Sequence, residues 1–149
     1  MVEYIQNKRI MGIDFGLKRV GIAVSDKLHI AISLLPTLIY SSPNFWNDLI
    51  KILLEKKIGC IVLGVPFEEN EENHPLQKHI NDFENKLQIE LDKLGLKILI
   101  VHQDESYSSR NAVSTMLEIG TKKKKRSKKG SIDAVSAGLI LQRWIETFE

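Results

Sequence analysis

Three positions in this sequence place carboxylates where a strand ends or a helix begins. Asp14 directly follows the apolar run 10–13, the pair Asp104–Glu105 follows the apolar run 98–101, and Asp133 lies close to the start of a helical pattern. A carboxylate at the end of a buried strand is costly unless a partner compensates its charge. Convergent carboxylates with no thiol or histidine pair beside them favour Mg²⁺ or Mn²⁺. Such ions serve phosphodiester cleavage, where they stabilise the attacking and departing oxygens.

Each of these carboxylates also has an explanation that needs no ligand. Asp133, expected in the first turn of its helix, could be a cap or a partner of the helix dipole, and spacing alone does not decide. Lys18 or Arg19 could pair with Asp14. Asp104–Glu105 could be an ordinary loop at the end of a strand.

The stretch KKKKRSKK, residues 122–129, concentrates the positive charge of the chain. The net charge is +2, but removing these seven cations leaves 14 Lys and Arg against 19 Asp and Glu, a net of −5. Positive charge concentrated in one short stretch is typical of contact with a polyanion. Because the run also directly precedes Asp133, we favour this interpretation over a merely solvated loop. No aromatic residue interleaves it, so it would hold phosphates without stacking on bases. The predicted nucleic-acid contacts are Lys18, Arg19, Arg110, Lys122, Lys123, Lys124, Lys125, Arg126, Lys128 and Lys129.

The apolar periodicity predicts the elements that must position these residues. Alternating or continuous apolar runs indicate strands, and apolar positions three and four apart indicate amphipathic helices. Pro36 inside the third strand indicates a sheet edge or a bulge. In chain order we predict antiparallel strands over 9–15, 19–25 and 30–40, a helix over 45–54, a strand over 58–65, a helix over 76–94, a strand over 97–103, a helix from Ser108 or Ser109 to Leu117, a polar basic loop, and a helix over 132–147 capped by Ser131.

This order of elements predicts where the acidic side chains meet. Helical crossovers make the later strands parallel, and ligands of open α/β sheets gather at the carboxyl ends of such strands. Asp14, Glu105 and the acidic loop FEENEEN after the fourth strand would share that edge. If the last helix packs back across the sheet, Asp133 joins them.

The bulk composition bounds the class of protein. A chain of 149 residues that is 43% hydrophobic suggests one domain, residues 1–149, with a sizeable core. No apolar run approaches the ~20 residues that span a bilayer, so no membrane is expected. The N-terminus lacks the apolar core of a signal peptide. The single cysteine, Cys60, excludes an internal disulfide, so we expect a cytoplasmic protein.

Four stretches in the same order resemble the YqgF family of bacterial Holliday junction resolvases and pre-16S ribosomal RNA nucleases: GIDFGLKRVGIAVSD, IVLGVP, DESYSSRNA and KKGSIDAVSAGLILQRW. The resemblance covers nearly the whole chain. It implies a ribonuclease H-like fold, an α/β structure with a five-stranded mixed sheet and helices on both faces. It further implies that Asp14, Glu105 and Asp133 are catalytic and bind Mg²⁺ or Mn²⁺. The implied partner is nucleic acid, either the 5′ end of pre-16S rRNA or a four-way DNA junction. Symmetric cutting of a junction would favour a homodimer.

Two departures from the family pattern keep other functions open. Ser106 stands where arginine usually follows the acid pair, and FEENEEN replaces a loop with an Asp-Gly turn. A catalytically inactive protein that binds nucleic acid during ribosome assembly is therefore one alternative. The stretch DFGLKRVGIAVSD also resembles the first phosphate loop of actin-like kinases and ATPases. Those enzymes need a second such lobe, and this chain has the length of one.

Overall fold

The sheet begins as an antiparallel meander. The computed structural model describes residues 5–66, 75–104 and 128–147, the first four of the last segment by their backbone alone. Strand β1 (Arg9–Asp14) pairs with β2 (Arg19–Ser25), and β2 pairs with both β3 (Ile32–Leu34) and β4 (Leu38–Ile39). The strand predicted over 30–40 is thus two short strands, so the described sheet has six strands rather than five.

Pro36 explains the division of the third strand. Ala23 pairs with Leu34 and Val20 pairs with Leu38, so the edge chain takes one more residue than β2 to cover the same distance. Proline has no N–H to donate to the ladder. The extra residue is therefore accommodated as a bulge at the sheet edge, as the sequence predicted.

The second half of the sheet is parallel. Strand β5 (Ile58–Val65) lies between β1 and β6 (Leu99–Asp104) and runs parallel to both, which gives the order β3-β2-β1-β5-β6 with β4 beside β2. Helix α1 (Phe45–Glu55) precedes β5, and helix α2 (Gln77–Lys93) connects β5 to β6. The predicted mixed α/β architecture is confirmed, and the carboxyl ends of β1, β5 and β6 lie side by side.

Helices cover both faces of the sheet. Helices α1 and α2 pack on one face, where their buried positions form a cluster with alternate strand residues. Helix α3 (Lys128–Glu146) packs on the other face. The cluster between the sheet and α3 contains residues from both. The sheet contributes Ile10, Ala23, Cys60 and Val62, and α3 contributes Ala137, Ile140, Leu141, Trp144 and Ile145.

The alternation of β1 decides which face Asp14 occupies. Met11 and Ile13 belong to the cluster with α1 and α2, whereas Ile10 packs against α3. Successive side chains of a strand point to opposite faces, so Gly12 and Asp14 continue the series that begins at Ile10. The carboxylate of Asp14 therefore belongs to the α3 face.

Helix α3 begins one turn earlier than the sequence predicted. Its first residue is Lys128, so Ser131 lies inside the helix and is not its cap. Lys128 and Lys129 accordingly belong to the helix and not to the predicted polar loop. Lysine is a good helix former, so the cap signal of Ser131 did not mark the boundary. The predicted helix up to Leu117, residues 122–127 of the basic run and the FEENEEN loop lie outside the described residues.

Cys60 is a packing residue of the core. The residue is fully buried in β5, and burial raises the pKa of its thiol to about 12. The thiolate is the reactive form of cysteine, so this thiol is inert at neutral pH. Across the described segments, no helix combines the length and the apolar character needed to cross a membrane.

Candidate active site at the carboxyl end of β1

Asp14 ends β1 at the centre of the sheet. It is half-buried, and its Cα pairs in register with Gly21 of β2. On the other side of β1, Ile13 pairs with Leu63 of β5. Pairing of Asp14 with β2, and of the preceding residue with β5, fixes the backbone here, so the position of Asp14 is set by the sheet and not by a loop.

Two glycines let α3 lie directly on this part of the sheet. A Cβ added to Gly21 would overlap the backbone carbonyl oxygen of Asp133, and one added to Gly12 would lie 2.6 Å from the carbonyl oxygen of Ala137. Asp133 therefore rests on the residue paired with Asp14. Antiparallel Cα partners are about 5 Å apart, so the fold brings Asp14 and Asp133 together.

The position of Asp133 within α3 argues against a role as a helix cap. The helix begins at Lys128, and its first turn contains no acidic residue. Caps and helix-dipole partners act within the first turn. The expectation that Asp133 occupies the first turn is therefore wrong, and the structural explanation that depended on it fails.

Asp133 is held by an ion pair. Nε of Arg19 donates a hydrogen bond to Oδ2 of Asp133 at 2.9 Å, with 35% of the arginine side chain and 26% of the aspartate side chain exposed. Gly16 makes the turn between β1 and β2 tight, since a Cβ there would lie 2.6 Å from the carbonyl oxygen of Arg19. The sequence suggested Arg19 as a partner of Asp14, whereas the structure pairs it with Asp133. Lys18 is exposed in the same turn.

The end of β6 presents its residues to two different faces. Leu99 and Val101 pack towards α3, whereas Nε2 of His102 lies 2.6 Å from Oε1 of Glu84 on α2. Asp104 follows His102 by two residues, so alternation assigns it to the α2 face, away from Asp133.

Glu105 lies outside the described residues, as do Arg110, Lys122, Lys123, Lys124, Lys125 and Arg126.

The face of Asp104 predicts a mild effect of its mutation. If the site cleaves nucleic acid, as the family resemblance implies, Asp104→Asn should keep the cleavage rate within about threefold of the wild type, because surface substitutions away from a site usually have small effects. Glu105→Gln made in parallel should cost far more, as the family resemblance implies. Initial rates of cleavage at saturating Mg²⁺ measure both. A larger loss for Asp104→Asn than for Glu105→Gln would mean that the faces are reversed.

The described residues supply two carboxylates to the site. Within segments 5–66, 75–104 and 128–147, no group of three or more His, Cys, Asp and Glu side chains could hold a metal ion. Asp14 and Asp133 provide oxygen donors, which suit Mg²⁺ or Mn²⁺. The thiol or imidazole ligands typical of zinc are not part of this pair.

The sequence analysis did not identify the residues that let α3 approach the sheet. These residues are Gly12 and Gly21, which contact the α3 backbone. A signal was present, because Gly21, Ala23 and Ser25 alternate along β2 and all are small. Small residues on one face of a strand indicate that another backbone approaches closely.

Comparison with known proteins places this geometry in a family. The family model RuvX, described as Holliday junction resolvase, matches residues 8–147. A Bacteroides fragilis protein named "Putative pre-16S rRNA nuclease" is 36% identical over 140 residues, which cover 93% of this chain and 96% of the relative. A Chlorobaculum tepidum protein of the same name is 33% identical over 141 residues, 95% of each chain.

Solved structures share the fold at low sequence identity. Thermus thermophilus RuvC in complex with a Holliday junction substrate matches with a TM-score of 0.56 at 13% identity, over 95% of both chains. The yeast mitochondrial Holliday junction resolvase matches with a TM-score of 0.54 at 11% identity, over 93% of this chain and 78% of the other. These matches confirm the ribonuclease H-like fold that the sequence motifs implied.

Proposed function

Because the chain belongs to the RuvX family of Holliday junction resolvases, which is the YqgF family that its motifs resemble, we propose that it is a metal-dependent nuclease. The observation that carries the proposal is that α3 packs the backbone of Asp133 against Gly21, the strand partner of Asp14 at the carboxyl end of β1, although the two aspartates lie near opposite ends of the sequence. Its substrate is structured nucleic acid, in which it hydrolyses phosphodiester bonds.

The donor set at the site fits a divalent cation. Asp14 and Asp133 offer carboxylate oxygens at a partly exposed edge of the sheet, and we assign Glu105 as a third ligand from the family resemblance. These carboxylates would hold Mg²⁺ or Mn²⁺, whose chemistry when bound would be to activate water and to neutralise charge on the phosphate oxygens. Arg19 orients Asp133 through the hydrogen bond to Oδ2, and a carboxylate held in this way could still offer its other oxygen to an ion. Asp14 is oriented by its strand.

The basic run, residues 122–129, supplies the grip on the phosphate backbone in this proposal, together with Lys18 and Arg110. Its last two lysines, Lys128 and Lys129, begin the helix that carries Asp133. A helix rises 1.5 Å per residue, so these positions lie roughly 6 to 8 Å along the axis from Asp133. A phosphate held there would therefore lie close to the carboxylates.

Neutralising the basic run should weaken binding to RNA and DNA alike. With Lys122, Lys123, Lys124 and Lys125 changed to glutamine, we expect the slope of log affinity against log salt to fall by roughly one unit per lost phosphate contact. The position of the cut should not change, because phosphate contacts hold a strand without reading its sequence. Fluorescence anisotropy at several salt concentrations measures the slope.

A matched control separates local contact from net charge. Lys27, Lys51, Lys78 and Lys93 are exposed and lie outside the site, and their change to glutamine removes the same total charge. The control variant should retain most of the salt slope. Equal slopes for the two variants, or an unchanged slope for the first, would show that the run is an ordinary solvated segment.

The names of the relatives favour RNA as the substrate. We propose that the enzyme processes the 5′ end of pre-16S rRNA in ribosome biogenesis, which would place it in the cytoplasm. The structural likeness to junction resolvases supports resolution of four-way DNA junctions as the second candidate, with a homodimer to cut two strands.

One experiment distinguishes these functions. Purified protein is incubated with a pre-16S rRNA fragment and with a four-way DNA junction, each with Mg²⁺, Mn²⁺ or a chelator. Metal-dependent trimming of the RNA supports the first function, and paired symmetric nicks in the junction support the second. Tight binding without cleavage of either substrate under any metal would indicate an inactive assembly factor and contradict the nuclease proposal.

A further inference from the structure

We propose that Arg19 is a built-in counter-charge of the metal site. It holds Asp133 in place and at the same time lowers the affinity of Asp14 and Asp133 for a divalent cation. The inference rests on the proposed function, because it assumes that these two carboxylates bind a metal.

The geometry gives Arg19 a direct hold on one of the two carboxylates. Arg19 lies two residues before Gly21 on β2, on the same face of the strand, and Gly21 lies beneath the backbone of Asp133. Its Nε donates to Oδ2 of Asp133 at 2.9 Å. Asp14 lies across from Gly21, so the Arg19–Asp133 ion pair forms next to the end of β1, on the face of the sheet to which Asp14 belongs.

The charges explain what this contact does in the absence of metal. Two carboxylates brought together repel each other, and the fold must compensate that repulsion. The guanidinium stays charged at all working pH values, so Arg19 offsets one of the two negative charges permanently. Arg19 therefore reduces the repulsion between the two carboxylates and holds Asp133 in place when no ion is bound.

The same charge opposes the binding of a cation. A divalent ion near Asp133 and the guanidinium repel each other, so the site binds metal more weakly than two free carboxylates would. A substrate phosphate brings new negative charge, which compensates Arg19. Metal and nucleic acid should therefore bind cooperatively, and by linkage each raises the affinity for the other.

The sign of a change in metal affinity separates this role from simple support of Asp133. If Arg19 only positions Asp133, its removal disorders a ligand and weakens metal binding. If Arg19 acts as a counter-charge, its removal strengthens metal binding even though cleavage slows. Activity alone would fall in both cases and would not distinguish them.

The test measures Mn²⁺ binding to the full chain by isothermal titration calorimetry without nucleic acid. Arg19→Gln should raise the affinity roughly tenfold, the effect of one unit charge on a divalent ion at about 5 Å under water-like screening. Arg19→Lys keeps the charge and should stay within about threefold of the wild type. Arg9→Gln, at the opposite end of β1, is the matched control and should not change the affinity. Arg19→Met replaces Arg19→Gln if the latter does not fold.

The outcomes separate the inference from the function on which it rests. Unchanged or weaker Mn²⁺ binding in Arg19→Gln, with normal binding in the wild type, would overturn the counter-charge role and leave the nuclease proposal intact. Wild-type Mn²⁺ binding that Asp14→Asn leaves unaltered would show that the metal site itself is wrongly assigned, and both would fall. Tighter binding together with slower cleavage supports the inference.

Discussion

Asp14→Asn is expected to reduce cleavage by about a thousandfold or more while leaving nucleic-acid affinity within a few-fold of the wild type. The substitution keeps the size of the side chain and removes the charge that a divalent ion needs. The loss of one charge-stabilising group at a reaction centre costs a factor of this order. Single-turnover cleavage and anisotropy titrations measure the two quantities separately.

The stability of the same variant distinguishes a catalytic from a structural loss. Removing one of two neighbouring like charges should leave the free energy of unfolding unchanged or raise it. Asp48→Asn, an exposed position in α1, is the matched control and should retain full activity. Mg²⁺-dependent cleavage at a wild-type rate in Asp14→Asn would contradict the assignment of the site.

Gly21→Ala is expected to destabilise the protein by about 3 kcal/mol or more and to abolish cleavage. The new Cβ would overlap the carbonyl oxygen of Asp133, and both groups belong to backbone that is fixed by a strand or a helix. Overpacking of this kind usually costs up to about 3 kcal/mol, and more where neither side can move. Urea denaturation followed by circular dichroism measures the change in the free energy of unfolding.

A second glycine on the same interface provides the control. A Cβ on Gly138 would lie 2.9 Å from a terminal methyl carbon of Leu34, a side chain that is 38% exposed and can move aside. Alanine is also favoured over glycine within a helix by up to about 1 kcal/mol. Gly138→Ala should therefore be neutral or stabilising. Equal costs for the two substitutions would show that α3 shifts as a body and does not rest on Gly21.

The sequence predicted the fold well because local patterns and the global topology agree. The buried strands appear in the sequence as continuous apolar runs, and α1 and α2 appear as apolar stripes at helical spacing. Helices between strands imply crossover connections, and from these the parallel pairing of the strands could be predicted. The predictions that failed concern boundaries. Pro36 divided a strand in two, and α3 began at Lys128 before its apparent cap at Ser131. Boundaries depend on small differences in local propensity, which tertiary contacts override.

The candidate site was predicted in part, for a physical reason. Asp14 and Asp133 could be selected because their placement in predicted elements was unusual, and the fold then brought them together. The partner of Arg19 could not be predicted, since that ion pair joins residues distant in sequence and depends on how α3 lies over β2. The face on which Asp104 lies could not be predicted either. It depends on how β6 pairs with β5, because that pairing decides which residues of β6 point to each face of the sheet.

The division of the carboxylates between the first strand and the last helix also has a consequence during synthesis. While the chain is being translated, β1 and β2 leave the ribosome long before α3, so Asp14 cannot meet Asp133 until translation has passed the final helix. A chain without α3 would expose the surface on which α3 rests and would lack one of the two carboxylates of the proposed site. In the proposed nuclease, the metal site can therefore form only after α3 has left the ribosome and packed on the sheet.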